Sequence, residues 1–442
     1  MVHKAAWVAL AAASLALAAL SSPLVQQTGE LKKGDQKELA SLIGAALDPE
    51  KTKDAEKKNK AVTELRKFLE KAGKTRNSKD PLQGGLSLTA DLSKALYDSA
   101  DYKMAGKKLG EVVTTVLNPK QVAAKAPDKE DPMSYALWLP KAYRVDGDPY
   151  PLLLCLPGAK DGKAQTGETF LQDNWMDPAL REKVLIAVVN LPEDQASWSE
   201  GQTAAGKPGG IAVTMRALRD VREKYAVDCD RIYICGREAG VAAAISIASK
   251  FPHIFAGAIG RAGDSGATPI DNFRGLPTFF AGAGAQAAEF EKKSKEAGYD
   301  NCTLKADGSD LDVLTWMTDH PRIANPVKVT LYPGKPIPSK AYWVKVQPTD
   351  VASGVAKVEA EIDRSKNTIT ITGNGIRQVT LMLNDVLVDL DKPVSVILNG
   401  TKQDALLPRS LEDMLDMMFN GFSEPGRVYV VRKDFDLPVA AK

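Results

Sequence analysis

Residues 225–247, YAVDCDRIYICGREAGVAAAISI, constrain the fold of this 442-residue chain more tightly than any other stretch. The apolar run Arg231-Ile232-Tyr233-Ile234-Cys235 has the β-branched and aromatic content of a buried strand. It stops at Gly236, and a second glycine, Gly240, stands four residues on. Beyond Gly240 the alanine-rich stretch 241–250 has the composition and length of a helix. A strand can turn this sharply into a helix only where the flanks of the turn carry no side chains, and the two glycines meet that condition. Arg237, Glu238 and Ala239 are thereby placed at the tip of a strand–turn–helix unit.

The sequence around this unit alternates in the same way. Strands are expected at 135–139, 152–156, 184–189, 231–235, 256–259, 278–281 and 302–305, with helices notably at 210–225 and 241–250. The four central runs are nearly continuous in Leu, Val and Ile, as parallel strands covered on both faces require. An α/β domain over 133–325 follows.

The Gly-Arg-Glu-Ala-Gly turn resembles the nucleophile elbow of α/β-hydrolases, a G-x-S-x-G turn between a strand and a helix. The resemblance extends to Tyr225, Val227-Asp228, Arg231-Ile232-Tyr233, Phe251-Pro252 and Phe255-Ala256-Gly257. Upstream it takes in Tyr135-Ala136-Leu137-Trp138-Leu139-Pro140 and the stretch from Pro151 to Pro157-Gly158. Across roughly 130–320 the chain is similar to secreted esterases of the polyhydroxybutyrate-depolymerase and feruloyl-esterase type. That resemblance implies an α/β-hydrolase fold and a Ser, Asp, His triad in that chain order.

Each triad position holds another residue. Glu238 stands at the nucleophile position. The acid is expected after the strand at 278–281, where Gly282-Ala283-Gly284-Ala285-Gln286 carries no carboxylate before Glu289. Ser309, in Asp307-Gly308-Ser309-Asp310, stands where the histidine belongs. Some members of the fold use a carboxylate nucleophile, but it is an aspartate and a histidine base accompanies it. Of three histidines, His3 lies in the N-terminal segment, His253 is expected to face solvent, and His320 to be a surface or capping residue. Glu238 is expected to pair with Arg261, which follows the next strand. The resemblance assigns the oxyanion-hole backbone to Ala239 and to Gly158 or Ala159. It places Trp198 near the site; the alternative is a lid or core anchor.

The flanks differ in kind. A positive start at Lys4 and an apolar run over 5–20 predict a signal peptide, taken as 1–22. The alternative is an uncleaved anchor, since about 16 apolar residues approach a membrane span. Residues 23–117 are expected to be helical, with apolar faces at Leu39, Leu42, Ile43, at Ala61, Leu65, Phe68, Leu69, at Leu92, Leu96, and in a fourth helix over 104–117. A polar linker follows at 118–132. From 326 to 442 strands and turns predominate, with Asn374-Gly375 and Asn399-Gly400 as turn signals, a helix over 410–419 and a last strand at 427–431. A β-sandwich-like domain is the expectation.

The net charge of +2, from 58 basic and 56 acidic residues, gives no basis for a nucleic-acid or anionic-membrane partner. Cys155 and Cys235 sit in apolar runs and are expected as buried thiols, while Cys229 and Cys302 either pair or stay free. The cysteine spacings fit no zinc pattern, and neither metal nor cofactor is implied. The sequence therefore reads as an exported, secreted or periplasmic, esterase-like pseudoenzyme. Its expected role is binding or scaffolding, with an ester or polymer ligand or a protein partner at the β-rich domain, and no stable membrane insertion after cleavage. The alternative is an active carboxylic ester hydrolase with a triad elsewhere.

Overall fold

The computed structural model describes residues 29–49, 53–100, 102, 108–117, 133–160, 163–282, 284–334, 337–349 and 356–438. The expected signal peptide (1–22) and linker (118–132) lie outside the described residues. The chain forms two units, Met1–Leu96 and Tyr97–Lys442.

The first unit is helical. Its elements are α1 (Lys33–Leu47), α2 (Ala55–Thr75), α3 (Pro81–Leu86) and α4 (Thr89–Asp98), the last carrying the unit boundary. Leu39 and Ile43 of α1 and Leu65 and Leu69 of α2 are fully buried, each pair four residues apart on one helical face. Asp54 and Asp80 cap α2 and α3 by accepting backbone N–H bonds. A Cβ at Gly85 would come within 2.1 Å of the Leu69 carbonyl oxygen, so α2 and α3 approach backbone to backbone.

The fourth expected helix is corrected. Residues Val112–Val116 form a strand, β1, because the sequence Val-Val-Thr-Thr-Val is almost wholly β-branched. It belongs to the second unit, at the edge of its main sheet.

That sheet is built from β1, β2 (Ser134–Trp138), β3 (Tyr150–Leu156), β6 (Leu185–Val189), β7 (Val227–Arg237), β8 (Gly257–Arg261), β9 (Thr278–Ala281) and β10 (Cys302–Lys305). A small hairpin, β4 (Ala159–Lys160) and β5 (Lys163–Ala164), follows β3. The spatial order is β1-β2-β6-β3-β7-β8-β9-β10. β1 and β2 are antiparallel to their neighbours, and the strands from β6 to β10 run parallel. Helices α5 (Gly167–Asp173), α6 (Pro178–Lys183), α7 (Gly210–Lys224), α8 (Gly240–Lys250), α9 (Ala285–Glu296) and α10 (Asp310–Asp319) cover it.

Successive side chains of the central strands enter different cores. Leu152, Leu154, Ile232 and Ile234 pack into one together with residues of α7 and α8. Leu153, Cys155, Tyr233 and Cys235 pack into the other, with Trp175, Val313 and Trp316. All four cysteines are free, and Cys155 and Cys235 are buried as expected.

The C-terminal part holds two further sheets. One has the order β11 (Lys328–Leu331), β14 (Lys357–Asp363), β15 (Thr368–Asn374), β17 (Val394–Leu398) and β18 (Thr401–Ala405). The other has the order β12 (Lys340–Ala341), β13 (Val344–Pro348), β16 (Ile376–Leu383) and β19 (Val431–Asp436). Asn399 and Gly400, at φ 46° and 85°, make the tight β17–β18 hairpin turn. Ser410 caps α11 (Leu411–Phe419) as expected. The last strand, expected at 427–431, forms at Val431–Asp436 instead, because Arg427 and Val428 are drawn into the interior ahead of it.

Arg427 joins the two parts. One oxygen of the Glu424 carboxylate accepts from Arg322 and, at 2.8 Å, from Arg427; the other lies 2.9 Å from Arg222 of α7. Arg322 also binds Asp230 of β7 at 2.7 Å and the His253 carbonyl at 2.8 Å, while Arg427 donates to that carbonyl at 3.0 Å. His253 is therefore not at the solvent face: its side chain is buried. Desolvation, with the charges of Lys340 and Arg427, pushes its pKa well down.

Burial alone would raise the Glu424 carboxyl, but Arg322, Arg427 and Arg222 outweigh it and hold the group well below the ordinary glutamate range. A depressed folded-state pKa contributes stability that is present above the unfolded value and lost as pH falls. Glu424→Gln should lower the unfolding free energy in urea by about 3–5 kcal/mol at neutral pH. The deficit should shrink as pH drops below about 4. A deficit independent of pH would mean that packing, not charge, holds the junction.

Candidate active site

The elbow forms where the two glycines place it. A Cβ on Gly236 would lie 2.3 Å from the Gly240 carbonyl oxygen, and one on Gly240 would lie 2.4 Å from that of Leu156. Both contacts are with backbone, which cannot swing aside. Between them Glu238 adopts φ +51°, a left-handed conformation that costs a non-glycine residue about 1–2 kcal/mol. Its N–H donates to the Arg261 carbonyl at 2.9 Å, and its own carbonyl accepts from Val241 at 3.1 Å. With α8 starting directly beyond, this is a strand–elbow–helix unit at the C-terminal end of a central parallel strand.

The fold is that of an α/β-hydrolase.

The strand order and the elbow establish this. At the level of sequence, neither a family profile nor a curated protein matches the chain. Part of the chain is similar, at low identity, to solved structures of esterases and serine hydrolases. A thermostable esterase is 19% identical over 49% of this chain and 64% of its own length, with a TM-score of 0.38. LpqC, a poly(3-hydroxybutyrate) depolymerase from Bordetella parapertussis, is 16% identical over 44% of this chain and 81% of its own, at 0.33. An S-formylglutathione hydrolase from Agrobacterium tumefaciens is 15% identical over 49% and 95%, at 0.36.

The predicted site residues fall into two groups. Gly158 lies against Glu238: a Cβ there would come 2.4 Å from Glu238 Oε2, so the carboxylate leans across the Gly158 backbone. Ala239, on the other side, is the N-cap of α8. Ala159 is the next residue after Gly158 and begins β4. The elbow and its expected backbone surroundings are thus in place around a carboxylate.

Arg261 does not pair with Glu238. On β8 it has the same parity as Ile259, which packs on the Trp175 side of the sheet. Its guanidinium lies 4.7 Å from the Trp175 ring centroid, forms an ion pair with Asp310, and donates to the Gly308 carbonyl at 2.7 Å. Glu238 instead has Arg237 Nε at 3.5 Å, with both side chains substantially exposed.

Ser309 is the N-cap of α10. It accepts from Asp312 N–H at 3.1 Å, and Asp312 accepts from Ser309 N–H at 3.0 Å, a reciprocal capping box. The hydrogen bonds from Lys305 and Ser309 hold the Asp312 carboxyl well below its ordinary range. One carboxylate near the elbow was missed by sequence reasoning. Asp264 follows Gly263, where a Cβ would lie 2.3 Å from the Glu238 carbonyl oxygen. It accepts from the N–H groups of Gln286 and Ala287 at 3.1 and 3.2 Å and so caps α9. Its signal was an Asp just after a glycine, but the partners are more than twenty residues away.

Neither described histidine reaches the elbow. His320 ends the 10-residue α10, about 15 Å along the axis from Ser309, and its Nδ1 lies 2.8 Å from the Trp316 carbonyl. This is the capping role expected of it. His253 follows the 11-residue α8 at the end away from Glu238. Among the described residues no group of three or more His, Cys, Asp and Glu is arranged to hold a metal ion.

A cleft of about 500 Å³ runs along α8 from Ala239 to Lys250, facing Trp198 and the loop at 266–269. Trp198 is 2% exposed and donates its indole N–H to the Pro192 carbonyl at 2.8 Å, so it both anchors its loop and lines the cleft.

This geometry orders the stabilities of three variants. Arg261→Met leaves Asp310 without its cation and should cost about 2–4 kcal/mol in urea unfolding. Glu238→Ala removes only an exposed pair and should cost less than about 1 kcal/mol. Glu238→Gly should be no less stable than Glu238→Ala, since glycine accepts the left-handed φ. A reversed order would mean that Glu238 has a buried partner.

Proposed function

We propose that this chain is an esterase-derived binding or scaffolding protein whose α/β-hydrolase domain does not catalyse ester hydrolysis. The observation that carries this reading is Glu238 at the tip of the elbow, its carboxylate against Gly158, with Ser309 and Asp264 engaged as helix caps. Acyl transfer at an elbow needs a nucleophile whose proton passes to an adjacent base. Glutamate in place of serine removes the hydroxyl, and the two described histidines lie at the far ends of their helices. A glutamyl ester formed on Glu238 would have no imidazole beside it to activate the water that releases it. What persists is backbone, a helix N-terminus and an open cleft, which serve retention of a ligand.

Purified protein should not turn over p-nitrophenyl acetate or butyrate above a heat-denatured control, and Glu238→Ser should not restore turnover. Hydrolysis by the wild type that Glu238→Ala abolishes would defeat the reading. Full activity from Glu238→Ser would reveal an intact base and acid.

The proposal includes export, supported by Lys4 and the apolar run over 5–20. No described helix is long and apolar enough to cross a membrane. Intact mass of protein recovered from periplasm or medium should place the mature N-terminus between Ala19 and Gln27. A full-length chain in the membrane fraction would show an anchor instead.

A further inference from the structure

We propose that the cleft along α8 binds a small organic monocarboxylate, its charged end on Lys250 and its apolar body along the alanine face that leads to Glu238. This rests on the non-catalytic reading only in that the ligand is retained and not turned over.

The wall that α8 gives the cleft is one helical stripe with a chemical gradient. Ala239, Ala242 and Ala243 form its elbow end; Ser246, Ser249 and Lys250 form the other. The 11 residues of the helix separate the ends by about 16 Å. Trp198, almost wholly buried, contributes to the lining and fixes the 195–199 loop that borders the cleft. A volume of about 500 Å³ falls in the range of small-molecule sites, and the lining mixes the alanines of α8 with the polar groups of Ser246, Ser249, Lys250, Gln195 and Thr268.

Lys250 sets the sign of the ligand's charge. Its ammonium donates to the Ser199 carbonyl at 2.8 Å and to Ser246 Oγ at 3.2 Å. Both partners are neutral, and an ammonium has three donors. Glu200 acts on it electrostatically, but no described carboxylate lies within ion-pair distance. Burial lowers its pKa, so the site holds a half-desolvated cation whose hydrogen bonds go to neutral groups and whose nearest charge, Glu200, makes no contact ion pair with it. The Ser246 hydroxyl stands beside it, while the Ser249 hydroxyl, also in the lining, donates to the Ser246 carbonyl at 2.7 Å. A compact carboxylate satisfies both the charge and the open donor.

The elbow end of the cleft limits the ligand to one such group. On the α8 wall it is lined by Ala239, Ala242 and Ala243, and a second carboxylate there would be desolvated against alanine with no cation to receive it. The occupant therefore has an anionic head, a neutral tail and a length within about 16 Å.

The test uses isothermal titration of the full-length protein with hexanoate and with 4-phenylbutyrate, each against its primary amide. The carboxylates should bind at least tenfold more tightly than the amides. Lys250→Gln should bring the carboxylates to the amide level, and Lys250→Arg should keep most of the preference. Lys250 is partly exposed in the last turn of its helix, and circular dichroism and urea unfolding establish that both variants are folded. Equal binding of acid and amide, no binding of either acid, or undiminished acid binding by Lys250→Gln would overturn the proposal. The same preparations are assayed with p-nitrophenyl butyrate. Glu238-dependent turnover would sink the non-catalytic reading while leaving a Lys250-dependent preference standing; loss of that preference without turnover sinks the cleft assignment alone.

Discussion

One carboxylate, that of Glu424, is the buried ionic centre of the junction between the α/β sheet and the C-terminal β sheets. It binds Arg322 and Arg427 through one oxygen and Arg222 through the other, and through them reaches α7, the first residues of β7 and the turn after α8. The junction is thus an ionic node whose central anion is almost fully withdrawn from water. Such a node is unforgiving, because all three guanidinium groups share this carboxylate, and only Arg322 has a second one, Asp230. The elbow lies at the opposite, C-terminal end of the parallel strands, and the cleft runs from it along α8.

The sequence made the central sheet legible because its strands alternate into two cores and the elbow glycines admit no other local geometry. The β-rich region was legible for a related reason: Ile369 and Ile371, or Val394, Val396 and Leu398, alternate as half-buried strands must. The failures have physical causes as well. Val112–Val116 follows directly on a helical region, and only its β-branched side chains set it apart as a strand. Arg427 has the character of a surface residue until Glu424, three positions back, folds against it, which moves the start of the last strand to Val431. The burial of His253 depends on the same junction.

The candidate site was legible as a set of positions but not as a set of contacts. Glu238, Gly158 and Ala239 come together as the elbow pattern implies. The Glu238–Arg261 pair does not form, because strand parity sends Arg261 to the Trp175 side, where Asp310 and the Gly308 carbonyl receive it. Ser309 and Asp264 occupy loops after the parallel strands, and both are engaged in satisfying the first N–H groups of helices. Capping depends on the loop's path in three dimensions, and for Asp264 no neighbour in sequence announces it.

The conformation of residue 238 is set by its neighbours. Gly236 and Gly240 abut backbone, Gly263 passes beneath, and the Arg261 carbonyl fixes the amide of residue 238. Whatever side chain stands at 238 inherits the same left-handed φ and the same outward placement. The geometry of the tip and the chemistry of the tip are consequently separate properties of this chain. A lineage can exchange one reactive group for another, or for none, at this single codon while the sheet, the helix and the cleft stay where they are. A serine and a carboxylate at this tip are in that sense adjacent points on one scaffold.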